Sequence, residues 1–153
     1  MKKNWIFIVI ICWICGCLPR IGCSESDSTD LSCRGHMTFE NVTLTAYYPS
    51  IENNDPKEYL DTKGHALATL QDFLAGKIDF VTVSMDEGLK IPYGTPICIP
   101  QLNAHYRRQI NLQVRDSANN VKGRRYRRVD ICVQSESDSY DPVVNLKRVS
   151  IVL

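Results

Sequence analysis

Val114–Val133, VRDSANNVKGRRYRRVDICV, is the stretch whose reading decides the fold. It leaves one apolar strand, crosses a polar loop and a burst of arginines, and enters a second apolar strand with an aspartate near its start. Neighbouring side chains in a strand face opposite sides, so if Val129, Ile131 and Val133 fill a core, Asp130 and Cys132 face away from it. Asp130 is then expected to open onto a groove. Upstream, Ile110, Leu112 and Val114 alternate with Asn111, Gln113 and Arg115, the pattern of a half-buried strand ending at Asp116. Two carboxylates therefore bracket the loop. On environment alone, an aspartate beside Arg127 and Arg128 reads first as a solvated ion-pair partner or turn residue, and only second as a catalyst.

Outward from this stretch the chain reads as further short strands. Val42–Tyr48 (VTLTAYY) forms the first, Phe80–Met85 delivers Asp86, Pro96–Ile99 follows the turn at Ile91–Thr95, and Val149–Leu153 closes the chain. Between them, Ala66–Leu74 has apolar residues at 67, 70, 73 and 74, one face of a helix, and Gly76 stops it. Pro49–Gly64 reads as a surface loop, Asn103–Arg108 as a polar connection, and Ser135–Pro142 as a polar loop with room for a short helix. His65 reads as a surface or capping residue rather than as a base, and His105 has no partner acid nearby to make it one. Short strands around one small helix suit a closed barrel, which leaves no exposed sheet edge.

Three segments in order, Val81–Thr95 (VTVSMDEGLKIPYGT), Leu112–Gly123 (LQVRDSANNVKG) and Arg128–Val133 (RVDICV), resemble the 3D domain, named for its three aspartates and also found at the end of MltA-type lytic transglycosylases. The matching positions are Asp86, Ile91-Pro92-Tyr93-Gly94-Thr95, Asp116 with Lys122-Gly123, and Arg128-Val129-Asp130-Ile131. Thr45-Ala46-Tyr47 resembles the family's first strand. Several ordered motifs together are more specific than any one of them. Ala118-Asn119-Asn120 stands where the family has Gly-Gly, and 153 residues are expected to leave no room for the second domain that walls the groove in MltA proteins. The resemblance implies a mainly β fold, a six-stranded double-psi β-barrel of the RlpA-like superfamily with one or two short helices.

Met1–Asn4 supplies a positive start and Trp5–Ile14 a short apolar run, the pattern of a secretory signal peptide. The expected organisation is a signal peptide over 1–23, a flexible lead-in over 24–41 and the barrel over 42–153. The protein is expected to be secreted and extracellular, or periplasmic or lipid-anchored through Cys17 or Cys23 in a bacterial host, without stable membrane insertion once the leader is gone. Of 153 residues, 18 are Lys or Arg and 17 are Asp or Glu; Lys2, Lys3 and Arg20 fall in the leader, so the mature chain is near neutral. No global charge calls for nucleic acid, and the run Lys122–Arg128 has only Tyr126 interleaved.

Export makes disulfides the default for the cysteines beyond the leader. Cys98 and Cys132 both sit on outward faces of apolar strands, so Cys98–Cys132 is the expected pair, with Cys23–Cys33 if cleavage spares Cys23. No CxxC remains outside the leader, and no metal site or cofactor is expected. Asn41-Val42-Thr43 is an N-glycosylation sequon.

By resemblance, Asp130 is the sole acid–base residue of a lytic transglycosylase acting on peptidoglycan or a related glycan. It would protonate the leaving glycosidic oxygen and then accept a proton from the sugar's own 6-hydroxyl, leaving a 1,6-anhydromuramoyl end. Asp116 and Asp86 would support it, and Tyr47, Lys122 and Arg128 would contact substrate, in a monomer. Two other classes stay open: a non-catalytic polysaccharide-binding barrel of the expansin or RlpA kind, and a secreted protein-binding module whose arginine run meets an acidic partner. The chain contains no P-loop, GxGxxG, HExxH or GxSxG, which argues against nucleotide chemistry and zinc proteolysis.

Overall fold

The computed structural model describes residues 30–49 and 56–153. The expected signal peptide and Cys23 lie outside them. Six strands form one mixed sheet: β1 (Thr38–Tyr47), β2 (Val81–Ser84), β3 (Thr95–Ile97), β4 (Leu112–Asp116), β5 (Arg128–Cys132) and β6 (Val149–Val152), in the order β3-β4-β2-β5-β1-β6. β1 pairs with β5 and β2 with β4 in parallel, while β2–β5, β1–β6 and β3–β4 are antiparallel. The sheet curls into a half-barrel, and beyond β3 the backbones of Cys98 and Val152 exchange two 2.9 Å hydrogen bonds that join its two edges.

Period-two alternation produces the core. Val42 and Leu44 of β1, Val81 and Val83 of β2, and Val129 and Ile131 of β5 have no exposed surface and pack on the concave side. Burying each such side chain contributes roughly 1.5–3 kcal/mol before entropy is counted. Asn41, at φ 57°, forms a bulge in β1 between Phe39 and Val42, a conformation asparagine tolerates better than most residues. Its side chain stands exposed.

Three short helices decorate the sheet: α1 (Leu70–Leu74), α2 (Pro100–Tyr106) and α3 (Glu136–Ser139). The helical pattern from Ala66 is realised only from Leu70. Upstream, Leu67 N donates to Tyr59 O, and Ala68 exchanges bonds with Thr82, its N to Thr82 Oγ1 at 3.1 Å and its O from Thr82 N at 2.8 Å. Those sheet-like bonds outcompete a helical turn. Thr69 then caps α1 by accepting from Asp72 N, and Gly76 at φ +71° ends it. Asn103–Arg108, expected as a connection, belongs mostly to α2, which Pro100 starts at its first turn and Arg107 ends in a left-handed conformation.

The cysteine pairing differs from expectation. Cys33 bonds Cys98 with a Cα–Cα separation of 5.6 Å, and Cys132 is a buried free thiol. Cys98 follows β3 and Cys132 ends β5, with β4 and β2 between those strands, so the strand order keeps the two cysteines off neighbouring strands. The bond draws residues 30–36 into the fold, although they belong to the stretch expected as a flexible lead-in. Gln109 Nε2 donates to Asp30 O and Ser32 O, fully buried Asn103 donates to Leu31 O, and His36 N donates to Leu153 O. Among the described residues no helix is long and apolar enough to cross a membrane.

Closing a loop across 65 residues restricts the unfolded chain by about 4 kcal/mol in the chain-entropy picture. Cys33→Ser is therefore expected to lower the urea-derived unfolding free energy by about 2–4 kcal/mol, whereas Cys132→Ala costs about 1 kcal/mol. Equal losses in the two variants, or a native protein whose Cys132 alkylates without denaturant, would contradict this assignment.

Candidate functional site

The strand register brings four polar residues into one row across the middle of the sheet. Asp116 of β4 lies opposite Ser84 of β2, Ser84 opposite Asp130 of β5, and Asp130 opposite Thr45 of β1. Asp116 joins this row through an irregularity in the β2–β4 pairing. Val83 pairs with Val114 but Ser84 pairs with Asp116, so Arg115 is the extra residue of a bulge. Strict alternation would have left Asp116 on the same face as Val114; the bulge turns it to the face of Ser84 and Asp130.

Asp130 points away from the apolar core, as alternation requires, but it does not open onto a groove. It has no exposed surface. Arg128 Nε donates to its Oδ1 at 2.7 Å and Arg128 Nη2 to its Oδ2 at 3.2 Å. Thr45 donates its hydroxyl to Oδ1 and accepts from Arg128 Nη2 at 2.9 Å, which closes a ring of three side chains. The carboxylate therefore has a partner on each oxygen and no open approach. Beside it, Ala118 N donates to Ser84 Oγ at 2.6 Å, so the loop after β4 folds back onto the row. Ala118, Asn119 and Asn120 are absent from the positions of positive φ, and the turn is made by Gly123 at φ +71°, so this backbone needs no glycine at 118–120.

Asp86 is a staple. It caps the short 3₁₀ turn Glu87–Leu89 by accepting from Gly88 N at 3.0 Å, and it accepts from Arg125 N at 2.8 Å. One carboxylate thus ties the loop after β2 to the arginine-rich loop before β5.

Asp116 is the least encumbered acid of the row. It is half-buried, with Oδ1 accepting from Ser117 N at 2.9 Å, and no cation pairs with it among the described residues. It faces a cleft of about 250 Å³ that is also walled by Asp86, Ile91, Tyr93, Arg115 and Thr62. The Arg115 guanidinium lies over the rings of Phe80, at 4.2 Å, and Tyr93, at 4.8 Å. Its backbone carbonyl accepts from the Thr62 hydroxyl at 2.8 Å, which pins the bulge.

Behind that wall sits a hub that the sequence patterns did not mark. The Asp61 side chain has no exposed surface, accepts from the amides of Lys63 and His65, and accepts from the Tyr93 hydroxyl. His65 Nδ1 is 3.0 Å from the same hydroxyl, and Lys63 Nζ is 4.2 Å from the Tyr93 ring centroid. The available signal was Asp61-Thr62-Lys63-Gly64, an aspartate two residues before a cation and three before a glycine, which is an Asx-turn pattern. A larger hollow, about 500 Å³ between residues 30–34 and the start of β4, contains none of the three motif aspartates.

The remaining expected contacts are scattered. Tyr47 is half-buried, with its hydroxyl enclosed near Cys132 and Asp116 without completing a hydrogen bond, and burial foremost pushes its ionisation far up. Burial likewise pushes the Cys132 thiol up to about 12, which leaves it inert as a nucleophile. Lys122 is exposed on the loop before β5, and Arg128 is spent on Asp130. His105 packs edge-on against Tyr106 on α2, which adds nothing to the row. Among the described residues no cluster of His, Cys, Asp or Glu could hold a metal ion. A scan of protein-family models finds none that matches this chain, and a search of curated proteins finds no match either.

Two of these carboxylates set the acid limit of the fold. The amides of Arg125 and Gly88 hold Asp86 below its ordinary value of 3.8. For Asp61 burial works upward, and the Tyr93 hydroxyl with the amides of His65 and Lys63 outweighs it. A carboxylate depressed in the folded state contributes stability that is complete above its unfolded value and is lost as pH falls through the folded one. The urea midpoint should therefore be flat down to about pH 5 and fall steeply below about pH 4. Asp86→Asn should be less stable at neutral pH with a shallower acid limb; an acid limb identical to the wild type's would contradict the staple.

Proposed function

We propose that this chain is a secreted polysaccharide-binding domain, a 3D-like double-psi β-barrel that holds a glycan in the Asp116 cleft without cleaving it. The observation that carries this reading is the closure of Asp130. A general acid must bring a carboxyl oxygen within about 3 Å of the glycosidic oxygen. Both oxygens of Asp130 are already engaged by Arg128 and Thr45 at zero exposure.

The cleft has the chemistry of sugar recognition. Asp116 is an acceptor for ring hydroxyls, Arg115 a donor, and Ile91 an apolar wall for the ring's C–H face. The two parallel pairs, β1 with β5 and β2 with β4, joined through antiparallel β2–β5, support the double-psi topology. The Cys33–Cys98 disulfide suits an oxidising, extracellular setting.

A second reading, a lytic transglycosylase with Asp130 as its acid, draws support from the in-register row of Asp116, Ser84 and Asp130 and from Arg128, whose side chain keeps 27% of its surface exposed. It requires the guanidinium to swing away when substrate enters. Incubation of the oxidised protein with purified peptidoglycan, followed by mass spectrometry, separates the two. Retention on insoluble glycan with no anhydro-ended fragments is expected, and Asp116→Ala should weaken that retention about tenfold or more, the loss of charge-assisted hydrogen bonds. Anhydro-ended fragments from wild type but not from Asp130→Asn would establish the enzyme instead.

A further inference from the structure

Lys122, Arg124, Arg125 and Arg127 stand exposed on the loop before β5, and none takes part in the ion pairs or cation–π contacts of the described residues. A run of cations is ordinarily a mobile, solvated face. This one is held in place. Val121 is fully buried at one end, the Asp86 carboxylate grips the amide of Arg125, and the Tyr126 ring lies flat on Phe39, centroids 3.7 Å apart and planes 6° from parallel. Arg124 N donates to Val121 O and Arg127 N to Arg124 O, both at 3.0 Å. With Tyr126 turned inward, the arginines on either side of it point out. Arg125 itself sits at φ 52°, a left-handed conformation that an arginine adopts at a cost glycine would avoid.

The loop is also continuous with the cleft. It begins at Asp116 and Ser117, which line the cleft, and the carboxylate that holds Arg125 belongs to Asp86, another of its walls. We propose that the arginine loop is a cationic rim of this cleft and that it selects an anionic polysaccharide, one whose sugar rings carry sulfate or carboxylate groups. This inference rests on the glycan-binding reading of the cleft. The division of labour follows from charge. Asp116 and Glu87 inside the cleft favour neutral hydroxyls, and the guanidinium groups at its edge match the planar or tetrahedral oxyanions of substituents that project from the chain. Nucleic acid fits less well. Its phosphates would run unbroken past those carboxylates, and the one aromatic ring in the run, Tyr126, already has a face stacked on Phe39.

The test is binding of the full oxidised chain to heparin oligosaccharide, polygalacturonate and uncharged chitin oligosaccharide by calorimetry at low and raised salt, for wild type and for Arg124→Gln/Arg125→Asn/Arg127→Gln. All three side chains are exposed, and asparagine tolerates the φ of Arg125, so the triple variant is expected to fold; circular dichroism checks it. Wild type should prefer the anionic glycans, and the preference should shrink as salt rises. The triple variant should lose about tenfold on the anionic glycans while keeping its affinity for chitin oligosaccharide. An anionic preference that survives in the triple variant overturns the rim, as does tighter binding of a DNA duplex than of any glycan. Equal wild-type affinity for charged and neutral glycans overturns the rim and leaves the cleft reading intact; no binding to any glycan overturns both.

Discussion

Everything in the middle of this sheet depends on keeping one buried carboxylate neutralised. Asp130 sits on the central strand β5, between Ser84 and Thr45, where an unpaired charge would cost several kcal/mol. Arg128, two residues earlier on the same strand, reaches over it, and Thr45 bridges the pair from the neighbouring strand. The ring of three joins β5 to β1 on the face opposite the apolar core, so both faces of the sheet centre are occupied. That same closure leaves both oxygens of Asp130 engaged, while Asp116 at the other end of the row is half-buried and borders a cleft.

The binding role proposed here rests on how the cleft is framed. The bulge at Arg115 turns Asp116 toward a cleft, the Asp61 hub stiffens the wall behind it through Tyr93, and Asp86 clamps the two loops that frame it. The three motif acids thus differ in their surroundings, with Asp116 lining the cleft, Asp86 fastening two loops and Asp130 paired with Arg128. The disulfide adds a second constraint at the far end, where Cys98 lies at the bridge between β3 and β6 and fastens the incoming chain there.

Strand identity was legible because alternation is a local property. All six strands overlap the segments that periodicity marked, though β1 begins at Thr38, ahead of its apolar run, and β3 and β5 each begin one residue early. What escaped was non-local. Ala66–Ala68 carry a helical pattern, yet Ala68 is bonded to Thr82 across the chain, and no window of sequence contains that competition. Cys98 and Cys132 occupy equivalent outward positions, but which cysteines meet depends on strand order, and β4 and β2 intervene. The direction of Asp130 was correct, whereas its accessibility depended on the side chain of Arg128; the bland expectation of a solvated ion-pair partner holds for the pairing, while the carboxylate itself is fully buried. The bulge at Arg115, which creates the cleft-facing acid, has no signature in the residues around it.

The most direct measurement is a double-mutant cycle between Asp130→Asn and Arg128→Gln, read as urea unfolding free energies at neutral pH. A structural ion pair at this depth predicts that each single change is destabilising and that the two are coupled by about 1.5–3 kcal/mol. Additivity within about 0.5 kcal/mol, with Asp130→Asn close to wild type in stability, would mean that Asp130 is not held as described and would restore it as a candidate acid.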